Sequence, residues 1–454
     1  MSEAAVIATE KQTVPQGYKQ TEVGVIPEDW DVKSIGDIAV ISSGGTPNRK
    51  ISEYWGGDIP WVTTTLIDGG YITYANEFIT KKGLESSAAK ICSIGTILMA
   101  MYGQGKTRGK VGVLSIDASI NQACAAISLK NNCQSSYMLQ ILNSMYDDIR
   151  DLSNSGGQEN LSGQIIKNIS IPFPPEKEQT AIANILSDMD ALLTELEQLI
   201  AKKQAIKTAT MQQLLTGKTR LPPFAFHKEP THTGGEHKGQ PKGMKPSELG
   251  EIPEDWEVVK LSEIGDTIIG LTYSPKDVSD FGTLVLRSSN IQNNQLSYEN
   301  NVYVDMELPN RVIVKENDVL ICVRNGSRNL IGKCALIDEK AAGFAFGAFM
   351  SIYRVNAATS KFIFYQFQSN IIQNQINEIM GATINQITNK DMSSFQVSLP
   401  VNNEEQTAIA NILSDMDAEI QVLEQRLAKT RQIKQGMMQE LLTGKTRLPV
   451  EVDE

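Results

Sequence analysis

Two short stretches gather positive charge, amides and glycine. Tyr102-Gly103-Gln104-Gly105-Lys106-Thr107-Arg108-Gly109-Lys110 carries three cations and no acid, and Arg324-Asn325-Gly326-Ser327-Arg328-Asn329, followed by Lys333, has the same balance. Arginine can fork onto guanine O6 and N7, and asparagine or glutamine onto adenine N6 and N7. Lysine, serine and threonine suit phosphate oxygens, while glycine lets the backbone approach. The chemistry these residues offer is recognition of nucleic acid. One such loop is weak evidence, since most basic hairpins are merely solvated; two, at equivalent places in duplicated segments, reinforce each other.

Other chemistries find little support. Three Gly-Lys-Thr triplets start at Gly105, Gly217 and Gly444, but Ala100, Gln212 and Gln439 stand where a phosphate-cradling loop needs its first glycine. In the repeated LLTGKTRLP, at 214–222 and 441–449, the glycine reads instead as the left-handed end of a helix that proline bars from continuing. The three histidines, His227, His232 and His237, all fall in one Pro-, Gly- and Lys-rich stretch, which leaves none elsewhere for acid–base work or metal binding. Phe173-Pro174-Pro175-Glu176 lacks the amide and aromatic of a methyltransferase loop that grips a flipped adenine, and carboxylate pairs such as Asp148/Asp151 and Glu404/Glu405 read as solvated helix charges. No catalytic group and no metal or cofactor site is expected in this chain.

The elements that must position the loops come in duplicate. Ile26-Pro27-Glu28-Asp29-Trp30 recurs 226 positions on, at Ile252–Trp256, and the thirteen residues Glu178–Asp190 recur unchanged at Glu405–Asp417. Each half runs frame, variable segment, frame. The second frame reads as a helix, with Pro174-Pro175 as start signal in one copy and Asn403 with Gln406 in the other. Apolar residues follow coiled-coil spacing: Ile182, Ile185, Met189, Leu192, Leu196, Leu199, and Ile409, Ile412, Met416, Ile420, Leu423, Leu427. From Pro175 to Leu215 such a helix spans roughly 60 Å at 1.5 Å per residue. The two seams suit an intrachain antiparallel coiled coil; alternatives are that each helix lies on its own domain's core, or that the seams serve oligomerisation. The variable segments, with runs such as IPWVTTTLI, TILMAMYG, TLVLRSS, DVLICVR and GFAFGAFMSIYRV, have strand composition. The fold class expected is α+β: two β-rich domains separated by two long antiparallel helices, with a pseudo-twofold internal repeat.

With 454 residues the chain has length for two or three domains. A net charge of -11 argues against coating nucleic acid or membrane by overall field but allows local basic loops. Five cysteines without a CxxC pair fit reduced thiols, and a polar start with no long apolar run points to a cytoplasmic location and no membrane partner.

The frame IPEDW, the stretches GGTPNRKISEYWGGDIPWVTT, GQGKTRGKVGVL and INQITNKDMSSFQVSLP, and the repeated EQTAIANILSDMDA and LLTGKTRLP together resemble the specificity (S) subunit of Type I restriction-modification systems, from about residue 16 to 449. The resemblance implies a first target-recognition domain with N-terminal frame at 1–174, a spacer helix at 175–221 and an exposed linker at 222–246. A second target-recognition domain would follow at 247–401, then a second spacer helix and tail at 402–454. Each recognition domain would read one half of a bipartite double-stranded DNA site, and the helices would set the spacing. Two methyltransferase (M) subunits and the restriction (R) subunits would be partners. Those partners, not this chain, would use S-adenosylmethionine, ATP and Mg for adenine methylation and ATP-dependent cleavage. Carried onto this sequence, the DNA-binding candidates are Tyr102, Gln104, Lys106, Thr107, Arg108 and Lys110, with Gln158 and Asn160, in the first domain. In the second they are Arg287, Ser288 and Asn290, then Arg324, Asn325, Ser327 and Arg328, then Thr383, Asn385 and Gln386. Two rival readings are a duplicated coiled-coil scaffold with incidental basic loops and a self-sufficient DNA-modifying enzyme.

Overall fold

The structure is a computed structural model; it describes residues 14–103, 105–130, 132–152, 160–230, 236–380 and 385–449. Two compact units emerge, and neither is a simple half of the chain: one comprises residues 1–197 and 425–454, the other 198–424.

In the first unit a five-stranded sheet has the order β1 (Ala39–Ser43), β6 (Cys124–Leu129), β3 (Ile97–Ala100), β4 (Val111–Leu114) and the short Tyr71–Ile72. A second sheet centres on β2 (Trp55–Val62), to which β5 (Ala118–Ile120) pairs in parallel. The second unit repeats the plan. Its main sheet runs β7 (Gly265–Ile269), β12 (Met350–Val355), β9 (Val319–Cys322), β10 (Cys334–Leu336), and β8 (Thr283–Leu286) pairs in parallel with β11 (Ala345–Phe346). The apolar run GFAFGAFMSIYRV is thus two strands, β11 and β12, broken by a turn at Gly347–Phe349. Helix α1 (Ser135–Ser144) in the first unit and α3 (Ser360–Gln368) in the second add buried apolar faces to these sheets.

The repeated frame becomes two helices of 39 residues, α2 (Glu176–Leu214) and α4 (Asn403–Leu441). Gly217 (φ +67°) and Gly444 (φ +70°) take the left-handed conformation just beyond them, as the sequence motif requires. Within the first unit Asp190 pairs with Lys434 and Glu197 with Arg431. Within the second Lys203 pairs with Glu419 and Lys207 with Asp417. In each unit the partner number falls as the first rises, so the two helical segments run antiparallel. The seam differs by one position from the periodic reading in places: Leu186, Ile200 and Leu413 are buried, whereas Leu199 is 39% exposed. The helix starts also lie on their own domain's core, since Ile182, Ala183 and Leu186 join the apolar cluster around Trp30, and Ile409, Ala410 and Leu413 the cluster around Trp256. Coiled-coil pairing and packing on the domain core therefore coexist, at different turns of one helix.

The identical dipeptides Glu178-Gln179 and Glu405-Gln406 explain why the frame repeats so strictly. Each glutamine is buried and its amide donates to the carbonyl preceding its own helix, Pro174 (2.9 Å) or Pro400 (2.8 Å). Its oxygen accepts from the N–H at the entry to α1 or α3, Gln134 (3.1 Å) or Thr359 (2.8 Å). Gln406 thus docks the helix onto the domain, while Asn402 receives the Glu404 N–H (2.8 Å) at the helix start. Each glutamate accepts the indole N–H of the frame tryptophan, Trp30 (3.0 Å) or Trp256 (3.3 Å). It also binds an arginine from the end of the other long helix. Arg447 reaches Glu178 (2.7 Å) and Asp29 (2.9 Å), and Arg220 reaches Glu405 (2.7 Å) and Asp255 (2.7 Å). The LLTGKTRLP motif is a clasp as well as a helix terminator. Its glycine sits where a Cβ would come within 2.5 Å of Pro27, or 2.3 Å of Pro253.

The stretch between the halves, read as an exposed linker, contains a strand pair, Phe226–Pro230 with Glu236–Pro241. Its flank joins the clasp, with Lys242 bonding Asp255 (2.6 Å). His227 pairs with Glu254 (2.8 Å), and His232 lies outside the described residues.

Candidate nucleic-acid interface

In the second unit three separate segments converge. β8 ends at Leu286 and releases Arg287-Ser288; β9 ends at Cys322 and releases the Arg324–Arg328 loop; the segment before Thr388 returns beside them. Asn325 donates to the Ser288 hydroxyl (3.2 Å), Asn385 donates to the Gly326 carbonyl (3.2 Å), and Arg324 and Gln386 form an isolated antiparallel bridge. Arg324, Ser327 and Arg328 are exposed, with Arg287, Ser288, Asn325, Asn385 and Gln386 half-buried among them. The Arg287 guanidinium donates to the Asn300 carbonyl (3.3 Å) rather than to Asp280 or Asp305. Thr388, not the residues before it, caps the following helix through Asp391 (3.1 Å), which leaves Asn385 and Gln386 for the loop cluster. Thr383 lies outside the described residues. Asn290 stands apart from this group. It is buried, accepts the Arg287 N–H (3.0 Å) and donates to the Ser297 carbonyl (3.0 Å), which holds the turn and leaves no surface for a ligand.

The first unit builds its counterpart from the loop after β3. Tyr102, Gly105 and Lys106 are exposed, Thr107 and Lys110 half-buried. The loop is pinned from below: Tyr146 donates its hydroxyl proton to the Lys106 carbonyl (2.6 Å) and Arg150 donates to that of Gly105 (2.9 Å). Gly103, Gly105 and Gly109 all take positive φ, so the three glycines supply a tight path that side-chain residues rarely adopt. Arg108, one of the loop's candidate readers from sequence, is only 8% exposed and sits in the loop's root. The turn at Asn160 is exposed and joins this loop, because the Leu161 N–H bonds the Met101 carbonyl (3.0 Å). The second unit repeats that bond from Ile387 to Val323 (2.8 Å). Gln104 and Gln158 lie outside the described residues.

Two features were not legible as site residues. One is the turn after β5 and β11, carrying Gln122 in the first unit and Phe349 in the second. It is supported by Gly44 and Gly270, where a Cβ would lie 2.0 Å from the Ile120 carbonyl oxygen and 2.1 Å from that of Gly347. The other is the role of GGTPNRKISEYW, which forms a brace: Arg49 lies over Trp55 (4.1 Å) and Trp61 (4.9 Å) and pairs with Glu77. Among the described residues no group of three His, Cys, Asp or Glu side chains could hold a metal, and no helix is long and apolar enough to cross a membrane.

Residues 27–208 and 253–432 each match the Type I restriction modification DNA specificity domain. The chain belongs to this family. It is 26% identical, over 95% of its length and 96% of the relative's, to the Type I restriction enzyme MjaVIII specificity subunit of Methanocaldococcus jannaschii. To the putative type I restriction enzyme MjaX specificity subunit of the same organism it is 28% identical, covering 95% of this chain and 97% of that one. A crystal structure of a Type-I restriction-modification system S subunit from M. genitalium shares the fold, with a TM-score of 0.57 at 15% identity over 91% of this chain and 96% of that chain. The matched segments each take in one of the two loop clusters, so the family assignment covers both halves of the repeat. As a member, the chain is a sequence-specific DNA-binding specificity subunit, with two β-rich recognition domains in an α+β architecture.

Proposed function

We infer that each loop cluster reads one half of a bipartite DNA site. The observation that carries this reading is the recurrence of the same construction in both units. In each, a basic glycine-containing loop follows the central sheet strand and is tied by one backbone bond to a polar turn, and the two differ in side chains. In the first unit Tyr102, Lys106, Thr107, Lys110 and Asn160 face outward for base edges and phosphates; in the second Arg287, Ser288, Arg324, Asn325, Ser327, Arg328, Asn385 and Gln386 do so. The long helices set the distance between half-sites and, with two equivalent clasps per chain, suit two methyltransferase subunits. Restriction subunits complete the assembly. Methylation with S-adenosylmethionine and ATP- and Mg-dependent cleavage belong to those partners, in the cytoplasm. The net charge of -11 fits a division in which partners supply much of the cationic clamp.

The test is exchange of one cluster at a time. Arg324→Ala should relax one half of the methylated sequence and leave the other half and partner assembly intact. Loss of both halves together, with assembly unchanged, would refute independent half-site reading.

A further inference from the structure

Both units build one backbone turn at the same place and put different chemistry on its tip. In the first, the Asn121 N–H donates to the Val62 carbonyl (3.0 Å) and the Cys124 N–H to that of Asn121 (3.2 Å). In the second, Gly347 donates to Leu286 (2.9 Å) and Met350 to Gly347 (2.8 Å). The third carbonyl of each turn then receives the end of the neighbouring strand: Ala123 from Met101 (2.8 Å), Phe349 from Val323 (3.0 Å) and from Arg324 (3.1 Å). The turn is anchored by the same bonds in each unit, yet it presents Gln122-Ala123 in one and Ala348-Phe349 in the other.

Phe349 is 57% exposed, a large ring in the midst of a polar loop cluster. The Arg324 guanidinium lies 5.3 Å from its centroid, and a Cβ on Gly347 would lie 3.9 Å from Arg287 Cγ, so the turn is flanked by the arginines of both neighbouring loops. With one face covered by a guanidinium and its backbone held by two donors, the ring is not a free wedge of the kind that slides between base pairs. Its open part is an apolar edge beside groups suited to base edges. In the major groove the one apolar group on a base edge is the thymine methyl.

We propose that Phe349 reads the 5-methyl group of a thymine in the half-site bound by the second unit. This rests on the DNA-reading function inferred above. The first unit has Ala123 at the equivalent position of the turn, beside Gln122, which is hydrogen-bonded to Thr46.

The experiment uses the chain assembled with the methyltransferase subunits of its own system. The methylated motif is mapped first, and each thymine of both half-sites is then replaced singly by deoxyuridine, which removes only the methyl. Binding is measured for the wild type, Phe349→Ala and Phe349→Leu. One thymine in one half-site should lose about fourfold in affinity on conversion to uracil, the worth of one buried methyl-sized group. Phe349→Ala should abolish that difference at that position alone, and Phe349→Leu should retain part of it. A half-site without any thymine position sensitive to uracil, or an equal loss for thymine and uracil duplexes in Phe349→Ala, overturns the proposal while leaving half-site reading intact. Absence of any methylated motif in the wild-type assembly overturns the DNA-reading function itself.

Discussion

The paired clasps allow a quantitative experiment, because they are chemically alike but unequally buried. Arg220 is 10% exposed and binds Glu405, which is 2% exposed, together with Asp255. Arg447 is 38% exposed and binds the equally buried Glu178 and a 58% exposed Asp29. In Arg220→Ala the Glu405 carboxylate retains only the Trp256 indole at 3.3 Å, whereas Asp255 keeps Lys242. Stranding one charge of a buried pair costs about 3–5 kcal/mol. Arg220→Ala belongs in that range. Water can replace the more exposed Arg447, and Glu178 keeps its Trp30 bond at 3.0 Å, so Arg447→Ala should cost about half as much. The location of the damage is as telling as its size. Arg447 lies near the chain's end but should loosen the residues around Trp30; Arg220 lies in the first half of the sequence but should loosen those around Trp256. Amide hydrogen exchange reads both, peptide by peptide, and urea unfolding followed by tryptophan emission gives the magnitudes. Adding Glu178→Gln to Arg447→Ala should recover part of the loss by neutralising the stranded carboxyl. Enhanced exchange around Trp30 in Arg220→Ala, or stability changes below about 0.5 kcal/mol in both variants, would refute the clasp.

Other outcomes follow from the same geometry. Burial pushes the Asp255 carboxyl up, but the hydrogen bonds from Arg220 and Lys242 outweigh it and hold the group down at about 2. A depressed folded-state pKa stabilises above the unfolded value near 4 and loses that contribution as pH falls toward 2; the second unit's melting temperature should drop across that window, and Asp255→Asn should flatten the drop. Gly444→Ala places a Cβ 2.5 Å from Pro27 in a left-handed residue and should cost about 2 kcal/mol, while Gly436→Ala, in open space within α4, should gain about 0.5–1 kcal/mol in urea unfolding. Leu196→Asp, at a site 4% exposed, should destabilise by about 2 kcal/mol or more, and Leu199→Asp, at 39%, by less than about 0.5 kcal/mol; equally large losses at both would restore the seam read from the spacing.

The duplication, the two helices and their glycine ends were legible because each is a local signal: an identical string, a heptad-like spacing, a residue type that tolerates positive φ. The exact seam was not, since Leu186 and Ile185 fit the periodicity almost equally and only packing on the domain core selects Leu186. Nor could spacing show that Arg447 answers Asp29, because that bond joins opposite ends of the chain. The basic loops were found by composition, and the second unit does bring its three stretches into one cluster. Composition misjudged individual members, however: Arg108 is rooted under its loop and Asn290 is consumed by its turn. Phe349 escaped for the converse reason, since an apolar residue inside a strand-like run reads as core until the Gly347 turn lifts it to the surface.

The central claim, that this chain confers a two-part DNA specificity on partner enzymes, is tested most directly by sequencing the methylated bases of a methylation-free host. The host expresses the methyltransferase subunit with or without this chain. Adenine methylation that requires both, at two short specified halves around a fixed unspecified gap, is the expected result. The same methylation without this chain, methylation by this chain alone, or an uninterrupted motif would contradict it.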